Sequence, residues 1–245
     1  MTRVGLVHTV PGLVGDFSAR LTAANPDLDM AHVADPSLLS RAIAAGVTPD
    51  VLADVERYVR TLAESGCQAV LVTCSSIGGA VDDVAAGMDI PVLRVDRPMA
   101  REAVRLAAGG SGHVVVLATL EATLAPTTAL IRAEAGDGAV PVPVPLPVPV
   151  PVPADAGAAD AGAAAHRIEV SSEVLPGAFA ARARGDDETH DTAVRDACAR
   201  WATSADVIVL AQASMAQALG EEGYGIPVLT SPASGAEALL AAVAP

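Results

Sequence analysis

The residues of this chain best suited to chemistry sit in the turn Thr73-Cys74-Ser75-Ser76. A thiol ordinarily titrates near roughly 8.5. At a turn from strand into helix, free amides and the positive end of the helix dipole favour the thiolate, so the sequence predicts a lowered pKa for Cys74. Ser75 and Ser76 add hydroxyl donors for a carboxylate or a developing enolate, and the same hydroxyls can cap the helix. A second turn of this kind is Ala211-Gln212-Ala213-Ser214. Two more apolar runs end in polar residues, at His8-Thr9 and at Thr119, with Thr123 four positions on. The other two cysteines, Cys67 and Cys198, read as small buried apolar residues.

The elements that must present these turns are short β-branched runs alternating with alanine-rich helical stretches. Val4 to Val7, Ala69 to Thr73, Val92 to Val95, His113 to Leu117, Val207 to Leu210 and Val228-Leu229 read as buried strands. Thr48-Pro49-Asp50 starts a helix whose apolar residues Leu52, Val55, Val59 and Leu62 share a face, and Arg97 to Ala108 forms another. This alternation predicts an α/β fold with open, mostly parallel sheets flanked by helices.

The order of the elements repeats. Gln68 to Ser76 matches Asp206 to Ser214, each is followed by Ile-Pro-Val-Leu (Ile90 to Leu93, Ile226 to Leu229), and Val4 to Thr9 pairs with Val114 to Thr119. Two pseudosymmetric lobes follow from this. Residues 1–96 with a C-terminal helix over 230–245 make the first, and 97–229 make the second, with a ligand site where the carboxyl ends of the strands face each other. A Pro/Val-rich stretch at 139–165 loses every second amide donor, so it reads as an extended surface excursion or an edge segment.

Composition removes several function classes. The 245 residues carry 29 acidic and 15 basic side chains, a formal charge of −14, and every basic one is Arg. Without Lys there is no Schiff base for pyridoxal phosphate and no phosphate-binding loop of the Walker type. The charge and the 2% aromatic content argue against nucleic acid as a partner. Mean hydropathy is +0.43, yet no uncharged apolar stretch reaches the roughly 18 residues of a membrane span, and no signal region follows Met1. A soluble, cytoplasmic protein without a membrane partner is expected. His190, among acidic neighbours from Asp186 to Asp191, reads as part of a solvated helix start, Asp96 as a helix cap, and no metal site is expected.

The stretches VLVTCSS from Val70, LATLEATLAP from Leu117 and VIVLAQASM from Val207 resemble, in order, the aspartate/glutamate/hydantoin racemase superfamily, whose relatives include maleate isomerase and arylmalonate decarboxylase. The resemblance implies a cofactor-free site between the lobes, a small carboxylate or amino acid as substrate, and catalysis by cysteine; dimers are common in the superfamily, so a homodimer is one assembly it allows. In racemases of this kind each lobe supplies one cysteine, because inversion without a cofactor needs bases on both faces of one carbon. Cys74 falls on the first-lobe position, whereas Gln212 replaces the second cysteine, and a glutamine amide is no base near neutral pH. The implied catalytic set is Cys74 with Gln212 and His8, and the implied carboxylate-binding set is Thr9, Thr73, Ser75, Ser76, Thr119, Thr123 and Ser214. A racemase or isomerase is the first expectation. A one-cysteine decarboxylase or lyase is the second, and a non-catalytic carboxylate-binding protein is the third.

Overall fold

A computed structural model describes residues 2–136, 139–141, 167–220 and 223–244. The apolar runs form strands β1 (Arg3–His8), β2 (Asp29–Ala34), β3 (Val70–Val72) and β4 (Val92–Arg94) in one half. The other half holds β5 (His113–Ala118), β6 (Ala139–Pro141), β7 (Ile168–Val174), β8 (Val207–Leu210) and β9 (Val228–Thr230). Between them lie α1 (Leu13–Ala24), α2 (Pro36–Ala45), α3 (Pro49–Glu64), α4 (Gly78–Ala85), α5 (Arg97–Ala108), α6 (Glu121–Ala135), α7 (Ala178–Ala183), α8 (Asp187–Trp201) and α9 (Ser231–Ala242). The strands make two all-parallel sheets, ordered β2-β1-β3-β4 and β6-β7-β5-β8-β9.

The internal repeat is visible in the register. Gly5, Leu6 and Val7 of β1 face Val70, Leu71 and Val72 of β3, as Val115, Val116 and Leu117 of β5 face Ile208, Val209 and Leu210 of β8. Likewise Val72 faces Arg94 across β3 and β4, as Leu210 faces Thr230 across β8 and β9. Side chains alternate between faces along a strand, and both faces are covered here. Val114, Val116, Val207 and Val209 join one core, while Val115, Leu117, Ile208 and Leu210 join another. In the first half Val7, Val70 and Val72 pack on Val51, Val55 and Val59 of α3, and Leu6 and Leu71 pack on Phe17 and Leu21 of α1. Each fully buried Leu or Val contributes roughly 1.5–3 kcal/mol, so these sheets hold the loops at their carboxyl ends firmly.

Helix α9 leaves the second sheet at β9 and packs on α1, α5, β3 and β4. Residues 139–141 of the Pro/Val-rich stretch form the edge strand β6, consistent with a segment that lacks amide donors, and 142–165 lie outside the described residues. Two expectations need correction. His190 is fully buried inside α8 with its Nδ1 2.7 Å from Asp191 Oδ1, because the helix turns that face onto the core rather than to solvent. Asp96 stands at the start of α5 without capping it; its carboxylate is taken by the Arg94 guanidinium at 3.0 Å. No helix among the described residues is long and apolar enough to cross a membrane.

Candidate active site

The carboxyl ends of β1, β3 and β8 and the starts of α6 and α9 surround an open cleft with a cavity volume of about 100 Å³. Thr9, Thr73, Cys74, Ser75, Ser76, Thr123, Gln212, Ser214 and Ser231 supply its polar wall. Val10, Leu13, Leu39, Leu120 and Phe179 supply the apolar one, with Val10 and Phe179 exposed at its rim. None of these lining side chains carries a formal charge. An acidic protein can therefore meet a small anion here through hydroxyls and turn amides instead of basic side chains.

Cys74 lies two residues past the end of β3, after Thr73, and precedes a single 3-10 turn, Ser75–Ile77, that runs into α4. Gly78 begins α4 because a Cβ there would collide with the Arg94 guanidinium beneath it. The partly buried thiol is pushed up from its ordinary pKa by loss of water. The Thr9 hydroxyl, the amides of Ser76 and Ile77 and the Ser76 hydroxyl act in the opposite direction and offset only part of the rise. This overturns the expected lowering: one short turn supplies too little dipole and too few amides to outweigh desolvation. Cys198 shows the same cause without the offset, its thiol pushed up to about 11 in the core, and Cys67 is also buried.

Ser76 Oγ lies 2.8 Å from Thr123 Oγ1, a direct bond between the lobes beside the thiol. Gln212 lines the cleft at the step of β8 equivalent to Cys74, and its Oε1 accepts from Thr119 N at 2.6 Å and from Thr119 Oγ1 at 2.9 Å. With that oxygen engaged, the Gln212 amide NH2 is its remaining donor. Thr119 itself does not line the cleft; it positions Gln212.

His8 lies behind the wall, fully buried and not among the lining residues. Its Nδ1 is 2.9 Å from Thr73 Oγ1, and the Thr73 hydroxyl donates to Val7 O at 3.2 Å. His8 Nε2 lies 2.9 Å from His32 Nδ1, and His32 Nε2 lies 3.2 Å from Ser18 Oγ, so the two imidazoles belong to one hydrogen-bonded chain that ends at Thr73. Burial, with His32 as a second cause, lowers the His8 pKa to about 4. His8 is thus a neutral support for Thr73 with no direct reach into the cleft. His32, half-buried on β2, was not found from the sequence because a lone His in Asp29–Ala34 carries no pattern of its own. Ser231 was missed too, since only the packing of α9 brings it to the cleft. Among the described residues no three His, Cys, Asp or Glu side chains are grouped to hold a metal ion.

Three comparisons bear on this geometry. The family model for Asp/Glu/hydantoin racemases matches residues 19–177. No curated protein matches the sequence. Among solved structures, aspartate racemase from Picrophilus torridus is similar at TM-score 0.66 and 16% identity, over 98% of this chain and 94% of that one. Allantoin racemase from Klebsiella pneumoniae is similar at TM-score 0.63 and 16% identity, over 99% and 88%. A glycine-to-cysteine variant of arylmalonate decarboxylase, in a sulfate-associated form, is similar at TM-score 0.59 and 17% identity, over 99% and 94%.

Proposed function

The chain belongs to the Asp/Glu/hydantoin racemase family, and from that premise we propose that it is a cofactor-independent isomerase of a small carboxylic acid, with Cys74 as its acid/base. The observation that carries this reading is the thiol itself, which stands between two lobes among hydroxyls and turn amides, in a cleft whose described lining residues carry no formal charge. Ser75, Ser214, Thr9 and the one hydroxyl hydrogen left free by the Ser76–Thr123 bond are the donors offered to a carboxylate, while Thr73, which donates to Val7 O, braces the wall. Held there, the acid places its α-carbon against the sulfur. The Cys74 thiolate removes the α-proton, the electron pair moves into the enediolate, and turn amides stabilise its charge. The Gln212 NH2 donates to the same oxyanion from the second lobe. Reprotonation at the face away from Cys74 comes from solvent, because Gln212 holds no exchangeable acid.

One observation favours a second reading, a decarboxylase. A buried thiol that titrates above its ordinary range is protonated at neutral pH, and a lone acid on one face suits delivery of a single proton. In that case the bond to the departing carboxylate breaks, carbon dioxide leaves with its oxygens, the electron pair stays on the α-carbon, and the Cys74 S–H protonates it.

Incubation of candidate monoacids, diacids and amino acids in heavy water separates these readings. Deuterium at the α-carbon without gas release supports the isomerase; carbon dioxide with one deuterium per product supports the decarboxylase. The pH limb is a second discriminator. A thiolate base gives activity that rises with pH toward the raised thiol pKa, and a thiol acid gives activity that falls above it. Absence of both exchange and gas, with binding retained, identifies a carboxylate-binding protein without turnover.

A further inference from the structure

Ser231 opens α9 and follows the edge strand β9. Its residue is 1% exposed, it lines the cleft, and its Oγ has no hydrogen-bond partner among the described residues. A buried hydroxyl without a partner is costly, so one retained in the wall of a ligand-sized cleft is a donor held for something that enters it. α9 is twelve residues long, Thr230 at its cap makes no side-chain capping bond, and Pro232 has no amide to offer. Gly235, one turn further, packs so closely that a Cβ would lie 2.6 Å from Val95 Cγ2, which fixes the start of α9 against the first lobe. The equivalent residue in the first lobe, one past the end of β4, is Val95, which is buried and carries no polar group to satisfy.

We propose that Ser231 is a ligand-binding residue whose hydroxyl donates to a second acceptor group of the bound acid, at a point apart from Ser75 and Ser76. The ligand is then a dicarboxylate or an acid bearing a carbonyl oxygen. Among the described residues no Asp or Glu lines the cleft. This inference rests on the small-acid reading of the cleft.

The test is protection of Cys74 from iodoacetamide by succinate and by butyrate, in the natural protein and in Ser231→Ala, at a pH where the thiol is labelled. Succinate is expected to protect at least about tenfold more tightly than butyrate, the worth of one hydrogen bond to a charged group. Ser231→Ala is expected to remove that advantage and leave butyrate unchanged. Its melting temperature without ligand stays level or rises, because the deleted hydroxyl had no partner. Equal succinate protection in the two proteins overturns the role of Ser231 and leaves the acid-binding reading standing. A melting temperature lowered by several degrees in Ser231→Ala also overturns it, since the hydroxyl is then structural. Protection by neither acid in either protein overturns the acid-binding reading and this inference together.

Discussion

Cys74 and Gln212 stand at the same step of two equivalent strands, β3 and β8, each just before a 3-10 turn. The register extends the comparison. His8 at the end of β1 corresponds to Ala118 at the end of β5, and Arg94 at the end of β4 corresponds to Thr230 at the end of β9. At each of these steps the first lobe holds a titratable or charged side chain and the second lobe an uncharged one. The backbone frame depends on apolar strands and turn geometry, which the two lobes share. The side chain at the last step is free of that demand, so one lobe can carry acid/base groups while the other only donates hydrogen bonds. Under the isomerase reading, only the first of the two equivalent turns supplies a thiol.

The largest effect that tests this division is on turnover. Cys74→Ala is expected to lower it by about 10²–10⁴-fold, with folding retained, measured by steady-state rates on whichever acid exchanges its α-proton. Gln212→Ala is expected to lower the same rate by less than about tenfold, within what one neutral hydrogen bond supplies. Similar losses in both variants would break the comparison.

Stability gives the next contrast. Arg94 and Asp96 form a buried pair, with side chains 6% and 1% exposed. Arg94→Leu strands the Asp96 carboxylate and should cost about 3–5 kcal/mol in denaturant unfolding. Thr230→Val at the equivalent step should cost less than about 1 kcal/mol, because the Thr230 side chain makes no capping bond.

The third contrast is in pH. The fully buried His8 has its pKa lowered from 6.5 to about 4. As pH falls through that window the unfolded chain takes up a proton that the folded His8 refuses, so stability is full above pH 6.5 and declines toward pH 4. The loss is at most about 3 kcal/mol. Melting temperatures at pH 7.5 and pH 5 measure it, and His8→Asn should flatten the slope. An unchanged slope would place the acid sensitivity elsewhere.

The smallest effect is on labelling. Iodoacetamide should modify Cys74 with a midpoint above the ordinary thiol value of roughly 8.5, because burial pushes the thiol up. A midpoint below about 8 would mean that the amides of Ser76 and Ile77 outweigh burial after all.

Much of the frame was legible in the chain itself. β-branched-rich runs such as Val114 to Leu117 read as buried strands, and the repeat of Gln68 to Ser76 at Asp206 to Ser214 pointed to two lobes, because hydrophobic period and turn residues act locally. The same repeat aligned Cys74 with Gln212. β2 and β7 were harder, since Asp29–Ala34 is nowhere fully buried and Ile168–Val174 carries Glu and Ser among its apolar residues. What the sequence by itself determined, then, is which residue types end which strands. Tertiary structure decided what those residues are: His8 a sequestered neutral support, Cys74 a thiol raised by burial, Thr119 the clamp on Gln212, and Ser231 an unpaired donor in the cleft. Protonation and hydrogen-bond satisfaction depend on how much water is excluded and which distant group fills the gap, and only packing between elements far apart in the chain sets either.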